Sequence, residues 1–229
     1  MAKLYVIGTP IGNLEDITLR AIRILGEVDF ILCEDTRETA KLLQKYNIQK
    51  SLISYNTHST GEKSEKIIGL LEEGKNLALV SDAGTPGISD PGCLIISQIR
   101  EHFKGSDAVE IIAIPGPSAM VSGLSVSGLP TSDFLFLGFL PHKKGRETLF
   151  KEIAESKRTV VFYESPHRIL KTLESLKNHL SVDRKIAIGR ELTKIHEQTI
   201  SGTTTELLEY FEKNADKVRG EFVVMVSAN

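Results

Sequence analysis

Four segments in the first half of the chain concentrate glycine and proline, carboxylates, or both: Gly8–Asn13 (GTPIGN) and Ile114–Ala119 (IPGPSA) are rich in glycine and proline, Cys33–Arg37 (CEDTR) is acidic, and Ser81–Gly92 (SDAGTPGISDPG) is both. A plain connection needs only a few turn residues, so repeated use of these types points to a binding surface. Pro10 and Pro86 lack the backbone N–H groups that cradle phosphate. No Gly-Lys-Ser/Thr follows the first segment, so it is not a phosphate-binding loop of that kind. Glycine backbone lets a flat ligand approach closely, and a carboxylate can take ribose hydroxyls or a cation. A nucleoside without phosphates that carries a positive centre fits this description.

In the second half, Glu164–Arg168 (ESPHR) and Gly189–Lys194 (GRELTK) hold further groups for proton transfer or anion contact. Glu34, Asp35, Glu164 and His167 are candidate bases or orienting groups, histidine having the suitable intrinsic pKa. Lys194 is a candidate for acidifying a hydroxyl by proximity. Arg37, Arg168 and Arg190 stay protonated and suit phosphate contacts better than proton transfer. Each has a structural alternative: Glu34 or Asp35 can pair with Arg37 or cap the next helix, and Glu164, His167 and Lys194 can serve packing or the surface. Tyr55, Asn56 and His58 (YNTH) either line a substrate trough or pack. Phe136, Phe139 and Phe162 either pack in the core, which is expected, or serve as base-stacking platforms.

The elements that position these groups alternate along the chain. KLYVIG, DFILCED, SLISY, NLALVS and VEIIAI read as strands, and helical spacing of apolar residues lies between them. That alternation predicts a parallel α/β domain over residues 1–115 with helices on both faces. Thr36 is a plausible N-cap, and Asp90-Pro91 reads as a cap plus first-turn proline. Residues 116–229 hold TSDFLFLGFLP, TVVFYE, KIAIGREL, HEQTISGTT and GEFVVMVSA, some joined by short turns, which predicts a mixed sheet with helices. Ser165-Pro166 reads as a helix start, and Thr203 with Glu206 as a capping box. In an open parallel sheet ligands bind beyond the carboxyl ends of the strands, which is where the four segments fall.

The 229 residues carry a net charge of −2; a coat protein for nucleic acid would be basic throughout. Local positive charge gathers in PHKKGRE (Pro141–Glu147), SKR (Ser156–Arg158) and HRILK (His167–Lys171), which a solvated surface also explains. No apolar run approaches a membrane span of about 18 residues, and the start lacks signal-peptide character, so a cytoplasmic protein without membrane contact is expected. Cys33 and Cys93 are expected to be buried thiols, and no metal spacing is present.

Taken together, LYVIGTPIGNLEDITLRA, CEDTR, YNTH, VSDAGTPGISDPG, IPGPSA, GFLP, FYESPHRI, GRELTKIHEQ and GEFVVMV resemble the tetrapyrrole-methylase-type family of S-adenosylmethionine methyltransferases. The resemblance runs from residue 4 to residue 226. Ser81-Asp82-Ala83 stands where the wider family usually has Gly-Asp-Pro, which favours the branch that methylates the 2′-oxygen of a cytidine in small-subunit ribosomal RNA. The resemblance implies two α/β domains with S-adenosyl-L-methionine in a cleft between them. It implies cofactor contacts at Pro10, Asp82, Ala83, Gly84, Thr85, Ser118, Ala119, Tyr163 and Leu192. It implies ribosomal RNA or the assembled small subunit as partner, and a homodimer. The competing readings are methylation of a tetrapyrrole or other small acceptor, and a ribosome-assembly module without catalysis. A dinucleotide dehydrogenase is disfavoured, because the first loop lacks the third glycine and carries a proline.

Overall fold

The computed structural model describes residues 1–55 and 61–229; Asn56 and His58 lie outside the described residues. The chain divides into two compact units, Met1–Ser118 and Ala119–Asn229.

The first unit contains β1 (Ala2–Ile7), α1 (Leu19–Glu27), β2 (Phe30–Cys33), α2 (Thr36–Lys45), β3 (Ser51–Ser54), α3 (Gly61–Glu72), β4 (Leu77–Leu79), α4 (Gly92–His102) and β5 (Val109–Ile114). Its sheet has the order β3-β2-β4-β1-β5, and every pairing is parallel. Leu77, Ala78 and Leu79 are all buried, as a central strand covered on both faces requires. Residues of α1 and α2 share one apolar cluster with Ile7, Ile31 and Ala78. Residues of α3 and α4 share the other with Leu4, Leu32 and Leu79. Connections running one way along the sheet thus use one face, and those running back use the other, as right-handed crossovers demand. Neighbouring β1 and β4 therefore send their following chains to opposite faces. That divergence opens a crevice beyond their carboxyl ends.

The second unit contains α5 (Ala119–Val126), β6 (Phe134–Phe139), α6 (Arg146–Glu155), β7 (Thr159–Glu164), α7 (Ile169–His179), β8 (Ile186–Arg190), β9 (Gln198–Gly202), α8 (Thr204–Lys213) and β10 (Phe222–Val226). The order β6-β7-β10-β8-β9 has one parallel pair, β6 with β7, and is otherwise antiparallel. Helices α6, α7 and α8 bury Phe150, Leu173 and Phe211 in one cluster with Phe162, Phe222 and Val224. On the opposite face Gly123 of α5 lies against Val223 and Met225, where an added Cβ would come within 3.1 Å of Val223.

Several local expectations shift. Asp35, not Thr36, caps α2, its carboxylate accepting from Arg37 N. Asp90 Oδ1 accepts from Gly92 N at 2.7 Å, the bond of a cap, although regular helix begins only at Gly92. Ser165-Pro166 opens a turn rather than α7; Ile169 N donates to the Ser165 carbonyl, and regular helix starts at Ile169. The Thr203/Glu206 capping box is complete. Cys33 is buried, but Cys93 is exposed in the first turn of α4. Phe162 is buried, whereas Phe139 is 58% exposed, against the expectation of a core residue.

Candidate functional site

The four strand-end segments meet at one edge of the first unit's sheet and are tied together. Thr9, following β1, and Gly84, following β4, exchange two backbone hydrogen bonds of 2.8 and 3.1 Å. The Thr9 hydroxyl donates at 3.1 Å to the Ser81 carbonyl. Ser81 Oγ in turn donates to the Gly84 carbonyl at 3.2 Å. Asp35, following β2, donates its backbone N–H to Asp82 Oδ1 at 3.0 Å. Thr85 Oγ1 lies 3.4 Å from the Pro117 carbonyl, following β5. Gly8 and Gly116 touch backbone to backbone: a Cβ on Gly116 would sit 2.6 Å from Gly8 O, so neither position admits a side chain. Gly84 adopts φ +82, a left-handed conformation that glycine reaches without strain.

Among the candidate cofactor residues of this platform, Pro10 and Gly84 are buried, Thr85 and Ser118 half-buried, and Asp82 and Ala83 exposed. Ala119 opens α5 and is half-buried. Tyr55 is buried at the end of β3, with its hydroxyl pKa pushed up first by burial; packing is its observed role.

The electrostatics are one-sided. Burial pushes the Glu34 carboxyl above its usual range, and the nearby Asp82 and Asp90 charges add to the shift. Asp90 Oδ2 is buried and has no hydrogen-bond partner among the described residues. Asp35 behaves differently: hydrogen bonds from the Arg37 side chain and backbone hold it at about 2. Arg37 is 85% exposed and pairs with Asp35 at 2.6 Å. Among the described residues no three His, Cys, Asp or Glu side chains converge to hold a metal ion.

The second unit holds its candidates in two networks. The Glu164 side chain is fully buried. It meets Arg168 Nε at 2.8 Å and Arg146 Nη2 at 3.2 Å, both arginines being largely buried. Thr172 Oγ1 and the Ser165 backbone N–H also donate to it, at 2.7 and 2.8 Å. All its acceptor capacity is spent on neighbours, so Glu164 is an anchor rather than a proton acceptor. Arg168 also donates to the Leu140 carbonyl at 3.0 Å, so it is a strut rather than a free phosphate contact. His167 is exposed in the intervening turn.

Arg190 is buried, with its guanidinium on the Arg219 and His196 carbonyls at 3.0 and 3.1 Å. The expected phosphate contact is corrected to a backbone pin. Lys194 pairs with Glu191 and Glu221, both at 2.9 Å. Burial alone would lower its pKa, but these two carboxylates together raise it, so it stays protonated. Leu192 is buried between Glu191 and Thr193, which have φ +50 and +67. Left-handed backbone at a β-branched residue costs about 1–3 kcal/mol, and the Glu191–Lys194–Glu221 bonds hold it in place. Tyr163 packs between Phe136 and Phe139, with ring centroids 5.1 and 5.3 Å away.

Arg146, Thr172, Glu191, Thr9 and Ser81 were not singled out by their spacing. Arg146 sits within a run that reads as solvated charge, and nothing local marks one member of it as buried. Gly8 and Gly116 did carry a signal, each following a strand that leads into a Gly/Pro loop.

A family model described as Tetrapyrrole (Corrin/Porphyrin) Methylases matches residues 3–208. The chain is 46% identical over 227 residues to a Thermotoga maritima protein named "Ribosomal RNA small subunit methyltransferase I", covering 99% of each. It is 48% identical to the Hydrogenobaculum sp. protein of that name, covering 98% of this chain and 95% of the relative. For the Escherichia coli O157:H7 protein of that name the figures are 42% identity, 99% and 78%. Among solved structures, the methyltransferase CobJ superposes with a TM-score of 0.70 at 18% identity, covering 100% of this chain and 95% of that one. Uroporphyrin-III-C-methyltransferase from Thermus thermophilus gives 0.67 at 18%, covering 99% and 94%. These two likenesses concern the fold.

Proposed function

Because this chain belongs to the tetrapyrrole (corrin/porphyrin) methylase family of S-adenosylmethionine-dependent methyltransferases, we propose that it methylates small-subunit ribosomal RNA, at the 2′-oxygen of a cytidine. The observation that carries the choice of RNA is the 42–48% identity, over nearly the whole chain, to proteins named for that activity. The cofactor site in this reading includes the stitched platform of the first unit, through Pro10, Asp82, Ala83, Gly84, Thr85 and Ser118, and the family resemblance adds Ala119, Tyr163 and Leu192.

The donor set suits the cofactor. Glu34, Asp82 and Asp90 crowd negative charge until one carboxyl resists ionisation, and an acidic oxygen of Asp90 is buried without a partner. A ligand bringing positive charge and no phosphate relieves that crowding; a nucleotide phosphate would worsen it.

S-adenosylmethionine supplies an electrophilic methyl group when bound. The chain's task is to align a ribose hydroxyl with it and accept the proton released. Alignment can supply about 7–11 kcal/mol of barrier lowering, and a base about 10²–10⁴-fold in rate. The rigid stitching of the loops serves the larger contribution. For the smaller, Glu34 is the best-matched group of the set: its pKa is raised toward the working pH, whereas Asp35 is held low, Glu164 is fully engaged and Lys194 is protonated.

The test is transfer of labelled methyl from S-adenosylmethionine to small-subunit RNA, followed by mass mapping of the modified nucleotide. Label on a cytidine ribose is expected. Label on a porphyrin precursor and none on RNA would move the chain to the small-acceptor reading. Binding to small subunits without cofactor affinity would make it an assembly module. The same reading takes a homodimer as the working form, carried by the family resemblance and checked by light scattering. No helix among the described residues is long and apolar enough to cross a membrane.

A further inference from the structure

We propose that Phe139–Lys144, the end of β6 and the loop after it, is a landing surface for single-stranded RNA; the inference rests on the ribosomal RNA reading above and adds where that acceptor is gripped. Alternation along β6 would put Phe139 on the core side with Leu135 and Leu137, which pack against the cluster of the second unit. A register shift between Phe136 and Phe139, with Gly138 at φ +62, breaks the alternation. The core then receives Leu140, 1% exposed, and Phe139 is turned outward at 58%. Bulges re-aim side chains in this way at functional edges. The Phe139 ring rests on Tyr163, centroids 5.3 Å apart, so its orientation is supported from one side.

The next residues are His142, Lys143 and Lys144, all exposed. Among the described residues none of the three has an ion-pair partner, a state that Lys143 and Lys144 share with other surface lysines such as Lys151 and Lys171. The loop is nevertheless held at both ends. Arg168 donates to the Leu140 carbonyl at 3.0 Å and Arg146 to the Pro141 carbonyl at 3.1 Å. Arg146 N also bonds the Lys143 carbonyl at 3.3 Å. Both guanidiniums are fixed by buried Glu164. The hub that first looked catalytic is thus the mount of a basic loop. An outward aromatic beside unpaired lysines on a rigid mount is the combination that takes a splayed base and its phosphates.

The test measures anisotropy of a labelled single-stranded RNA of about ten nucleotides, across a salt series, with S-adenosylmethionine affinity by calorimetry in parallel. Lys143→Glu with Lys144→Glu should weaken RNA binding at least about tenfold and flatten the slope of log affinity against log salt by about 1.4, leaving cofactor affinity unchanged. Phe139→Ala should weaken binding about tenfold without altering the salt slope, and Phe139→Tyr should restore it. If the parent protein methylates small-subunit RNA but all these variants bind like it, the surface is wrong and the function stands. If the parent transfers no methyl to RNA and does not bind it, the function and this surface fail together. If Phe139→Ala dissociates a dimer while RNA affinity holds, the face belongs to a second copy and the proposal is overturned.

Discussion

The strand ends of the two units solve the same problem with opposite materials. In the first unit, four loops are joined by backbone amides, hydroxyls and a glycine–glycine contact, and their unpaired charge is negative. In the second, the loops are joined by buried ion pairs centred on Glu164 and by a half-buried network at Glu191, and the charge left unpaired on the Pro141–Gly145 loop is positive. The first arrangement suits a small cation held close to backbone. The second suits a polyanion held at the tips of long side chains. In the reading proposed above, the methyl donor and its acceptor would thus meet loops braced in different ways.

Removing a brace should cost most where it is ionic. Glu164→Ala leaves Arg146 and Arg168 buried without their counter-charge, and breaking such a pair costs about 3–5 kcal/mol. Urea unfolding should show that loss, with Glu164→Gln milder because the amide still accepts. A loss below about 1 kcal/mol would mean the hub is not a charged mount.

The glycine brace of the first unit should be the next most sensitive. Gly116→Ala drives a methyl into Gly8, and overpacking of this kind costs about 1–3 kcal/mol. Cofactor affinity should fall with it, because the loops after β1 and β5 are forced apart. Gly26→Ala is the control, since nothing lies within 4 Å of its added Cβ. Equal losses in the two variants would show that the close approach has no special role.

The smallest effect sharpens the electrostatic half of the contrast. Glu34 has a raised pKa in the free protein, and a bound cation favours its ionised form. Cofactor binding should therefore release a proton. Affinity should rise with pH between the ordinary glutamate value and the raised one, by at most about tenfold per pH unit, and then level off. Glu34→Gln should flatten the profile. A profile that falls with pH would reverse the assigned sign. Asp35 makes no such contribution there, being ionised down to about 2.

Both sheets were legible because their signals are local: alternation along strands, helical spacing in α1 and α2, and the Thr203/Glu206 box. Three of the four loops were legible because glycine and proline are uncommon together at successive strand ends, and the fourth, Cys33–Arg37, because a strand ends there in two acids. Their stitching was not, since Thr9 and Ser81 are ordinary residues until the fold brings them to Gly84. Charged residues were the least legible. Arg190 and Arg37 read alike in sequence, yet one is buried on carbonyls and the other is out in solvent. Phe139 misled because an apolar ring in a strand is ordinarily buried, and the register shift next to Gly138 turns this one outward.

Hydrogen exchange with and without saturating S-adenosylmethionine addresses the donor platform most directly. Slowed exchange is expected in Gly8–Asn13, Ser81–Gly87 and Gly116–Ala119, since these loops would close on the ligand together. Binding that left all three unprotected, or that protected a different part of the chain instead, would contradict the assignment.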